Sequence, residues 1–190
     1  MNVLIASDIH GSAYWADRLA AAVERESPDA IILLGDLLYH GPRNDLPRDY
    51  DPKRVIPLLN DLASRYPLTA VRGNCDAEVD QMVLDFPCMA DDARVVDDGG
   101  RVLYCTHGHV HGAGFHNSVD DLPDLALGSA VLFGHTHVKV NGGIEGHGGL
   151  WAFNPGSVSI PKDGTNSYGV YTSGMPVDQA FRHVALTEVE

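Results

Sequence analysis

The sequence predicts an α/β fold, and three observations support this prediction. Strand and helix patterns alternate along the first half of the chain, whereas strand patterns separated by glycine-rich turns fill the second half. Five apolar runs show no polar alternation, which is typical of strands that are buried on both faces. Because the chain has 190 residues, of which 44% are hydrophobic, we expect one domain that spans residues 1–190.

The first half is predicted to contain three strands and three helices. Ser12 is a suitable N-cap for a helix over residues 12–26. An Asp-Pro pair begins a second helix over residues 51–64, in which Pro57 predicts a kink or irregular first turns. A short third helix is expected over residues 78–84. The strands are predicted over residues 3–6, 31–34 and 68–71.

The second half contains fewer helical signals. Short apolar segments alternate with glycine-rich turns, and this pattern predicts further strands. We expect the second sheet to be largely antiparallel. The predicted strands cover residues 94–96, 101–105, 130–133, 138–140, 149–153, 168–171 and 181–186.

Charge and cysteine content exclude several classes of protein. The formal net charge of -13 argues against a broad basic surface for nucleic acid. The three cysteines, Cys75, Cys88 and Cys105, form no C-x-x-C motif, so that neither a disulfide framework nor a zinc knuckle is indicated. A reducing cytoplasm fits this pattern. The first apolar stretch is too short for a signal peptide or a membrane span, and we expect no membrane association.

Five of the apolar runs are each followed by residue types that bind metals. Sites in open α/β sheets form beyond the carboxyl ends of strands, so that these side chains are expected to converge. Their number is too large for one tetrahedral zinc and suits two octahedral-leaning ions that share a carboxylate. The candidate ligands are Asp8, His10, Asp36, Asn74, His107, His135 and His137.

Each motif alone has another interpretation. Asp8 and His10 would point to the same side if the chain stays extended, but an Asp at a strand end is as often a helix cap. The pair Gly35-Asp36 is a common turn sequence. The two His-x-His pairs are stronger signals, because paired histidines next to glycine rarely serve a core. The joint occurrence of these motifs predicts the metal site.

The motif order D-x-H, G-D, G-N-x-D, H-G-H and G-H-T-H resembles the calcineurin-like metallophosphoesterase superfamily, and most closely its small bacterial YfcE-type phosphodiesterases. Segments at residues 35–44, 72–76 and 154–162 support the resemblance, which covers roughly residues 1–173. The resemblance implies two stacked mixed β-sheets flanked by helices, in a four-layer sandwich. It also implies a homo-oligomer, either a dimer or a tetramer.

The resemblance further implies how the ligands divide between two divalent ions in each chain. One ion would bind Asp8, His10, Asp36 and His137, and the other would bind Asp36, Asn74, His107 and His135. Asp36 would bridge, because a carboxylate has two oxygens that can each serve a cation. Mn²⁺ is the metal that the resemblance favours; Fe, Zn²⁺, Ni²⁺ and Mg²⁺ are alternatives, and Ca²⁺ suits imidazole ligands less well.

Further residues are predicted to act beside the ligands. Cys75 occupies the position of a superfamily histidine that aids departure of the leaving group, and Asp76 could orient a neighbour. His109 could contact substrate or support the loop. Arg43 suits bidentate recognition of phosphate, although an arginine in a proline-rich loop is more often a solvated charge. The predicted catalytic residues are Asp36, Asn74, Cys75, Asp76 and His109, and the substrate contacts are Arg43 and His109. The histidines interpreted as surface residues are His111, His116 and His147.

We therefore expect an enzyme that hydrolyses small phosphodiesters. A water or hydroxide shared by the two ions would attack phosphorus in line. Two alternatives remain: a phosphomonoesterase, or a non-catalytic metal-binding scaffold of the retromer-subunit type. Such scaffolds tend to lose ligands, and the presence of all seven candidate ligands favours the enzyme.

Overall fold

The computed structural model describes residues 1–111 and 121–187. Over these residues the chain forms ten strands and three α-helices. In chain order they are β1 (Asn2–Ala6), α1 (Ala13–Glu26), β2 (Ala30–Leu33), α2 (Pro52–Arg65), β3 (Leu68–Ala70), α3 (Glu78–Gln81), β4 (Asp92–Val96), β5 (Val102–Thr106), β6 (Ala130–Leu132), β7 (Val140–Gly143), β8 (Trp151–Asn154), β9 (Ser167–Thr172) and β10 (Phe181–Ala185). Within the described ranges, no helix is long and apolar enough to cross a membrane.

The strands form two five-stranded mixed sheets. The first has the order β10-β9-β1-β2-β3, in which β1, β2 and β3 are parallel. The second has the order β4-β5-β6-β8-β7, in which β5, β6 and β8 are parallel and the two edge strands are antiparallel. The expectation of a largely antiparallel second sheet was therefore wrong. Parallel neighbours need a long connection rather than a tight hairpin, and β6 and β8 are separated by 18 residues that include the edge strand β7.

Two large apolar cores define the layers. Along β1, side chains alternate between them: Leu4 and Ala6 face α1 and α2, whereas Val3 and Ile5 face the second sheet. The second sheet contributes four buried residues to the core between the sheets: Leu103, Cys105, Leu132 and Phe153. A smaller apolar cluster lies on the outer face of the second sheet and contains Tyr104, Val131, Phe133 and Ala152. The predicted stack of two mixed sheets flanked by helices is confirmed.

The helices begin where their capping residues predict. Ser12 accepts a hydrogen bond from the backbone N–H of Trp15, at 3.3 Å, and caps α1. Asp51 precedes α2 without a side-chain capping bond, and its carbonyl accepts from the N–H of Arg54, so that the first turn is tighter than an α-helical turn. The helix continues through Pro57.

Several predicted elements have different bounds, and for two of them hydrogen bonds explain the difference. The third helix ends at Gln81 rather than at residue 84, because the chain continues in turns in which the N–H groups of Val83 and Leu84 share the carbonyl of Asp80. Strand β7 begins at Val140 rather than at residue 138. The backbone N–H of Lys139 donates to the carboxylate of Asp163, and is thus unavailable to the sheet.

Candidate metal centre

The seven candidate ligands lie together beyond the carboxyl ends of β1, β2, β3, β5 and β6. Three of these strands belong to the first sheet and two to the second, so that the ligands come from both halves of the sandwich. The centre therefore lies at one end of the interface between the sheets, next to the core that joins them.

The first group of ligand atoms comes from Asp8, His10 and His137. Oδ1 of Asp8 lies 3.6 Å from Nε2 of His10 and 3.2 Å from Nε2 of His137. The two Nε2 atoms are 3.2 Å apart. Metal–ligand bonds of about 2.0–2.2 Å place neighbouring ligand atoms about 3 Å apart at right angles. The first group fits one ion of this size.

The second group comes from Asp36, Asn74, His107 and His135. Nε2 of His107 lies 3.4 Å from Oδ2 of Asp36 and 3.1 Å from Oδ1 of Asn74. Nδ1 of His135 lies 2.6 Å from the same Asn74 oxygen. Oδ2 of Asp36 is also 3.7 Å from Nε2 of His10, in the first group. Asp36 thus stands between the two groups.

Backbone carbonyls determine which nitrogen three of the histidines present to the centre. Nδ1 of His10 contacts the carbonyl of Tyr39 at 2.8 Å, Nδ1 of His107 contacts that of Leu34 at 2.6 Å, and Nδ1 of His137 contacts that of Ile160 at 2.8 Å. Because a carbonyl only accepts, each Nδ1 carries the proton and each Nε2 directs its lone pair inward. Such partners are typical of metal-binding histidines.

The inward-facing atoms lack partners that would satisfy them. The Nε2 atoms of His10 and His137 face each other at 3.2 Å, a contact that needs either a proton or a metal ion between the two nitrogens. Oδ1 of Asp8 is fully buried and accepts no hydrogen bond from any residue that the structure describes. A buried, unpaired carboxylate oxygen is costly. These atoms suit a bound cation.

The pKa values of the ligands reflect the same crowding. Burial would raise the pKa of Asp8, but His137 and His10 outweigh it and hold that pKa well below its usual range. Burial lowers the pKa of His107, yet the charge of Asp36 raises it to about 9. The pKa of His135 falls to about 4, through burial and the charge of His107. The carboxylates thus stabilise positive charge at the centre.

Five of the seven candidate ligands have a left-handed backbone. Their φ angles are +57° for Asp8, +49° for His10, +54° for Asp36, +66° for His135 and +58° for His137. This conformation costs on the order of 1–3 kcal/mol per residue and persists only where the surroundings impose it. The idea that Asp8 and His10 share a side because the chain stays extended was wrong. Both side chains instead converge through left-handed turns after β1 ends.

A segment that follows β8 holds these turns in place. The hydroxyls of Ser157 and Ser159 donate to the carbonyl of Asp8 at 2.9 and 3.2 Å. Nδ2 of Asn154 donates to the carbonyl of Gly134 at 2.8 Å, next to the His-Thr-His motif. In the sequence this segment carries a family resemblance but no residue type that indicates a role at the centre. Its Asn-Pro-Gly-Ser composition indicated a turn, but the partner was distant in sequence.

Asp76 supports Asp36 through the backbone. Its Oδ2 accepts from the N–H groups of Asp36 and Gly73 at 2.8 and 2.7 Å, and its Oδ1 accepts from that of Leu37 at 2.8 Å. Both oxygens are therefore engaged with backbone donors, and Asp76 is placed to position Asp36. Burial and the charge of Asp36 raise the pKa of Asp76 to about 6.

We expect Asp76→Asn to destabilise the fold by about 1–3 kcal/mol and also to weaken metal binding. An asparagine must turn an NH₂ group toward backbone N–H donors, which leaves buried donors unpaired. The matched control is Asp97→Asn, because buried Asp97 also accepts three hydrogen bonds, from Gly99, Arg101 and Tyr171, outside the centre. Thermal unfolding and metal titration should show both losses for Asp76→Asn and only the stability loss for Asp97→Asn. Equal metal affinity in the two variants would contradict this role.

Cys75 and His109 border the ligands. The backbone N–H of Cys75 donates to Oδ1 of Asp36 at 2.7 Å, and its Sγ lies within 4.8 Å of ligand atoms of His10 and Asp36. Burial and the charge of Asp36 raise the pKa of the Cys75 thiol. The His109 ring packs against that of His107, with centroids 5.4 Å apart, and its buried Nδ1 has no hydrogen-bond partner among the described residues.

A cleft of about 960 Å³ opens from the centre. Asp36, Asn74, Cys75, His135 and His137 line it, and so does Arg43, as the phosphate-binding prediction requires. Lys162, for which no role was predicted, also lines the cleft. Its backbone N–H donates to the carbonyl of His137 at 3.0 Å. Of the predicted surface histidines, His111 and His147 are partly buried, and His116 lies outside the described residues.

Comparison with known proteins places this architecture in a family. Residues 1–174 match the calcineurin-like phosphoesterase superfamily domain. Phosphodiesterase YfcE of Escherichia coli (strain K12) is 43% identical over 171 residues, which are 90% of this chain and 86% of the relative. The "probable metallophosphoesterase YsnB" of Bacillus subtilis (strain 168) is 31% identical over 176 residues, covering 90% of this chain and 84% of the relative. A solved structure of the E. coli phosphoesterase YfcE superposes with a TM-score of 0.83 at 39% identity, over 98% of this chain and all of the other. The chain belongs to the calcineurin-like phosphoesterase superfamily.

Proposed function

We propose that the protein is a metal-dependent phosphodiesterase that holds two divalent ions with seven side chains. The observation that carries this proposal is the convergence of two adjacent groups of donor atoms on the Oδ2 atom of Asp36, 3.4 Å from His107 and 3.7 Å from His10. The relative that is 43% identical is named a phosphodiesterase, which supports the choice of reaction.

The donor set of imidazole nitrogens with carboxylate and amide oxygens suits Mn²⁺, Fe or Zn²⁺, and we propose Mn²⁺. One ion would bind Asp8, His10, Asp36 and His137, and the other Asp36, Asn74, His107 and His135. When bound, two such ions lower the pKa of water and stabilise the negative charge that develops on the phosphoryl oxygens. Ni²⁺ and Mg²⁺ are alternatives that the same ligands accommodate.

The surrounding residues have distinct proposed roles. Arg43 and Lys162 supply positive charge to the cleft and would neutralise a phosphate anion there. His109 packs against the ring of His107 and, unlike Arg43, is not among the described residues that line the cleft, so its proposed role is to support His107 rather than to contact the substrate. Asp76 acts through the backbone of Asp36 and is a positioning residue.

Cys75 is not proposed as a proton donor. A thiol whose pKa is raised is a poor general acid, and a positioned general acid contributes about 10²–10⁴-fold to a rate. The leaving group would then depart without a proton from this position, which favours esters of acidic alcohols such as nitrophenol. The residue fills space beside Asp36.

The alternatives are less well supported. A non-catalytic scaffold has no need for seven converging ligands, five of which hold a strained backbone. A phosphomonoesterase would need the same ions, and substrate comparison separates it from a diesterase. A cytoplasmic location and a homo-oligomer, either a dimer or a tetramer, remain predictions.

The proposed function predicts that hydrolysis of bis(p-nitrophenyl) phosphate requires metal. A chelator should abolish nitrophenol release, and Mn²⁺ added in excess should restore it, because charge neutralisation at the centre depends on the ions. p-Nitrophenyl phosphate, which has the same leaving group, is the monoester control and should be hydrolysed more slowly. Turnover that persists in metal-free protein would refute metal dependence, and faster hydrolysis of the monoester would favour the phosphomonoesterase.

A further inference from the structure

The cleft beside the metal centre has one apolar side, which we call the apolar wall and define as Phe133, Val140, Ile144 and Ala152. All four residues line the cleft that Asp36, His135 and His137 also line. All four belong to the apolar cluster on the outer face of the second sheet. The apolar wall therefore continues directly from the centre.

Strand geometry explains why the apolar wall faces open space. Ala152 pairs with Gly142, so that their Cα atoms share one face of the sheet with Val140, two residues from Gly142. A Cβ atom built on Gly142 would meet no atom of the described residues within 4 Å. Alanine and glycine thus occupy the middle of this face, and Val140 and Ile144 line the cleft beside them. That space is suited to an apolar group that comes from outside the chain.

Charge divides the cleft into two parts. Lys162 is held close to the candidate ligands, because its backbone N–H donates a hydrogen bond to the carbonyl of His137. Glu145 directly follows Ile144 and also lines the cleft. An anionic substituent beside the apolar wall would thus meet a carboxylate, whereas an uncharged one would not. Phosphate charge is favoured at one end, and an uncharged apolar group at the other.

We propose that the apolar wall binds an uncharged aryl or alkyl ester group of a phosphodiester whose phosphoryl group lies at the metal centre. The inference rests on the proposed phosphodiesterase function and deepens it to a substrate class. A diester offers two organic groups, so that one can leave while the other occupies the apolar wall. A monoester lacks the second group and gains nothing from these contacts.

The test compares Val140→Thr with wild type, using two diesters that share one leaving group. The esters are phenyl p-nitrophenyl phosphate and methyl p-nitrophenyl phosphate, which differ in the group that is retained. We expect the ratio of kcat/KM for the phenyl ester to that for the methyl ester to fall about tenfold, which is the lower end of the effect of one methylene in an apolar pocket. Ile144→Asn is the second variant and should lower the ratio further.

The matched control is Val96→Thr. Val96 lies in β4, the opposite edge strand of the same sheet, and does not line the cleft. This variant should retain the wild-type ratio. An unchanged ratio in both folded wall variants would refute the inference, and so would an equal fall in rate for both esters, because that result would indicate a general disturbance of the centre.

A measurement of binding without turnover tests this inference independently of the proposed function. Calorimetric titration of Mn²⁺-loaded protein with diphenyl phosphate and dimethyl phosphate gives a ratio of Kd values without turnover. Tighter binding of diphenyl phosphate that weakens in Val140→Thr supports the apolar wall even if neither nitrophenyl ester is hydrolysed, in which case the proposed function fails alone. Hydrolysis with equal affinity for the two phosphates would leave the function and overturn the inference.

Discussion

Asp36→Asn is expected to reduce phosphodiester turnover by at least about 10³-fold and to remove most bound metal. Changes behind the ligands of a metal site already cost about 10–100-fold, and Asp36 serves both proposed ions at once. Its Oδ1 accepts the N–H of Cys75 at 2.7 Å, so that an asparagine amide oxygen can keep this bond. The NH₂ group then replaces Oδ2, faces the Nε2 atoms of His10 and His107, and supplies a donor where a cation needs an acceptor.

The same replacement should leave the metal-free fold intact. It removes a negative charge close to Asp8, and its NH₂ group can donate to a histidine lone pair. We therefore expect the Tm of chelator-treated Asp36→Asn to equal or exceed that of chelator-treated wild type. Asp80→Asn is the control, because Asp80 is also buried and accepts a backbone N–H, that of Ala77, outside the ligand groups. Full metal occupancy in Asp36→Asn would show that Asp36 is not the bridge.

Gly73→Ala is expected to lower activity by at least about 10²-fold because it displaces the Asp36 carboxylate. A Cβ atom on Gly73 would lie 2.1 Å from Oδ1 and 2.3 Å from the backbone N of Asp36, far inside contact distance. Because φ of Gly73 is not in the left-handed region, the effect is purely one of space. The carboxylate must move, and a displacement of about 1 Å at a catalytic group can cost 10²-fold.

Gly148→Ala is the matched control for this prediction. A Cβ atom on Gly148 would meet no atom within 4 Å, and its φ is likewise outside the left-handed region. The measurement is turnover together with metal affinity, with thermal unfolding to confirm the fold. Near-normal turnover in Gly73→Ala would mean that the position of the Asp36 carboxylate is less critical than the centre requires.

The sequence predicted the strands and the convergence of the candidate ligands because both leave local signals. Apolar runs indicate buried strands, and the residue that follows a strand belongs to the end of a sheet whatever the connections are. The direction of β6 and β8 left no such signal. Parallel pairing in the second sheet follows from how long segments return, and this is a property of the whole fold.

The backbone turns at Asp8 and His10 could not be predicted from the sequence, for a different reason. Nothing local requires a left-handed φ at an aspartate or a histidine. That conformation is imposed by Ser157 and Ser159, which bind the Asp8 carbonyl from more than a hundred residues away in the sequence. The apolar wall likewise combines residues of β7 and β8 with Phe133, and becomes visible only when the strands are paired.

Metal content per folded chain tests the two-ion centre most directly. Chelator-treated protein would be loaded with Mn²⁺, freed of excess by gel filtration and measured by elemental analysis against protein concentration. The seven converging ligands predict two ions per chain in wild type and a marked loss in Asp36→Asn. A folded wild-type protein that retains only one ion per chain, or none, would contradict the dinuclear centre.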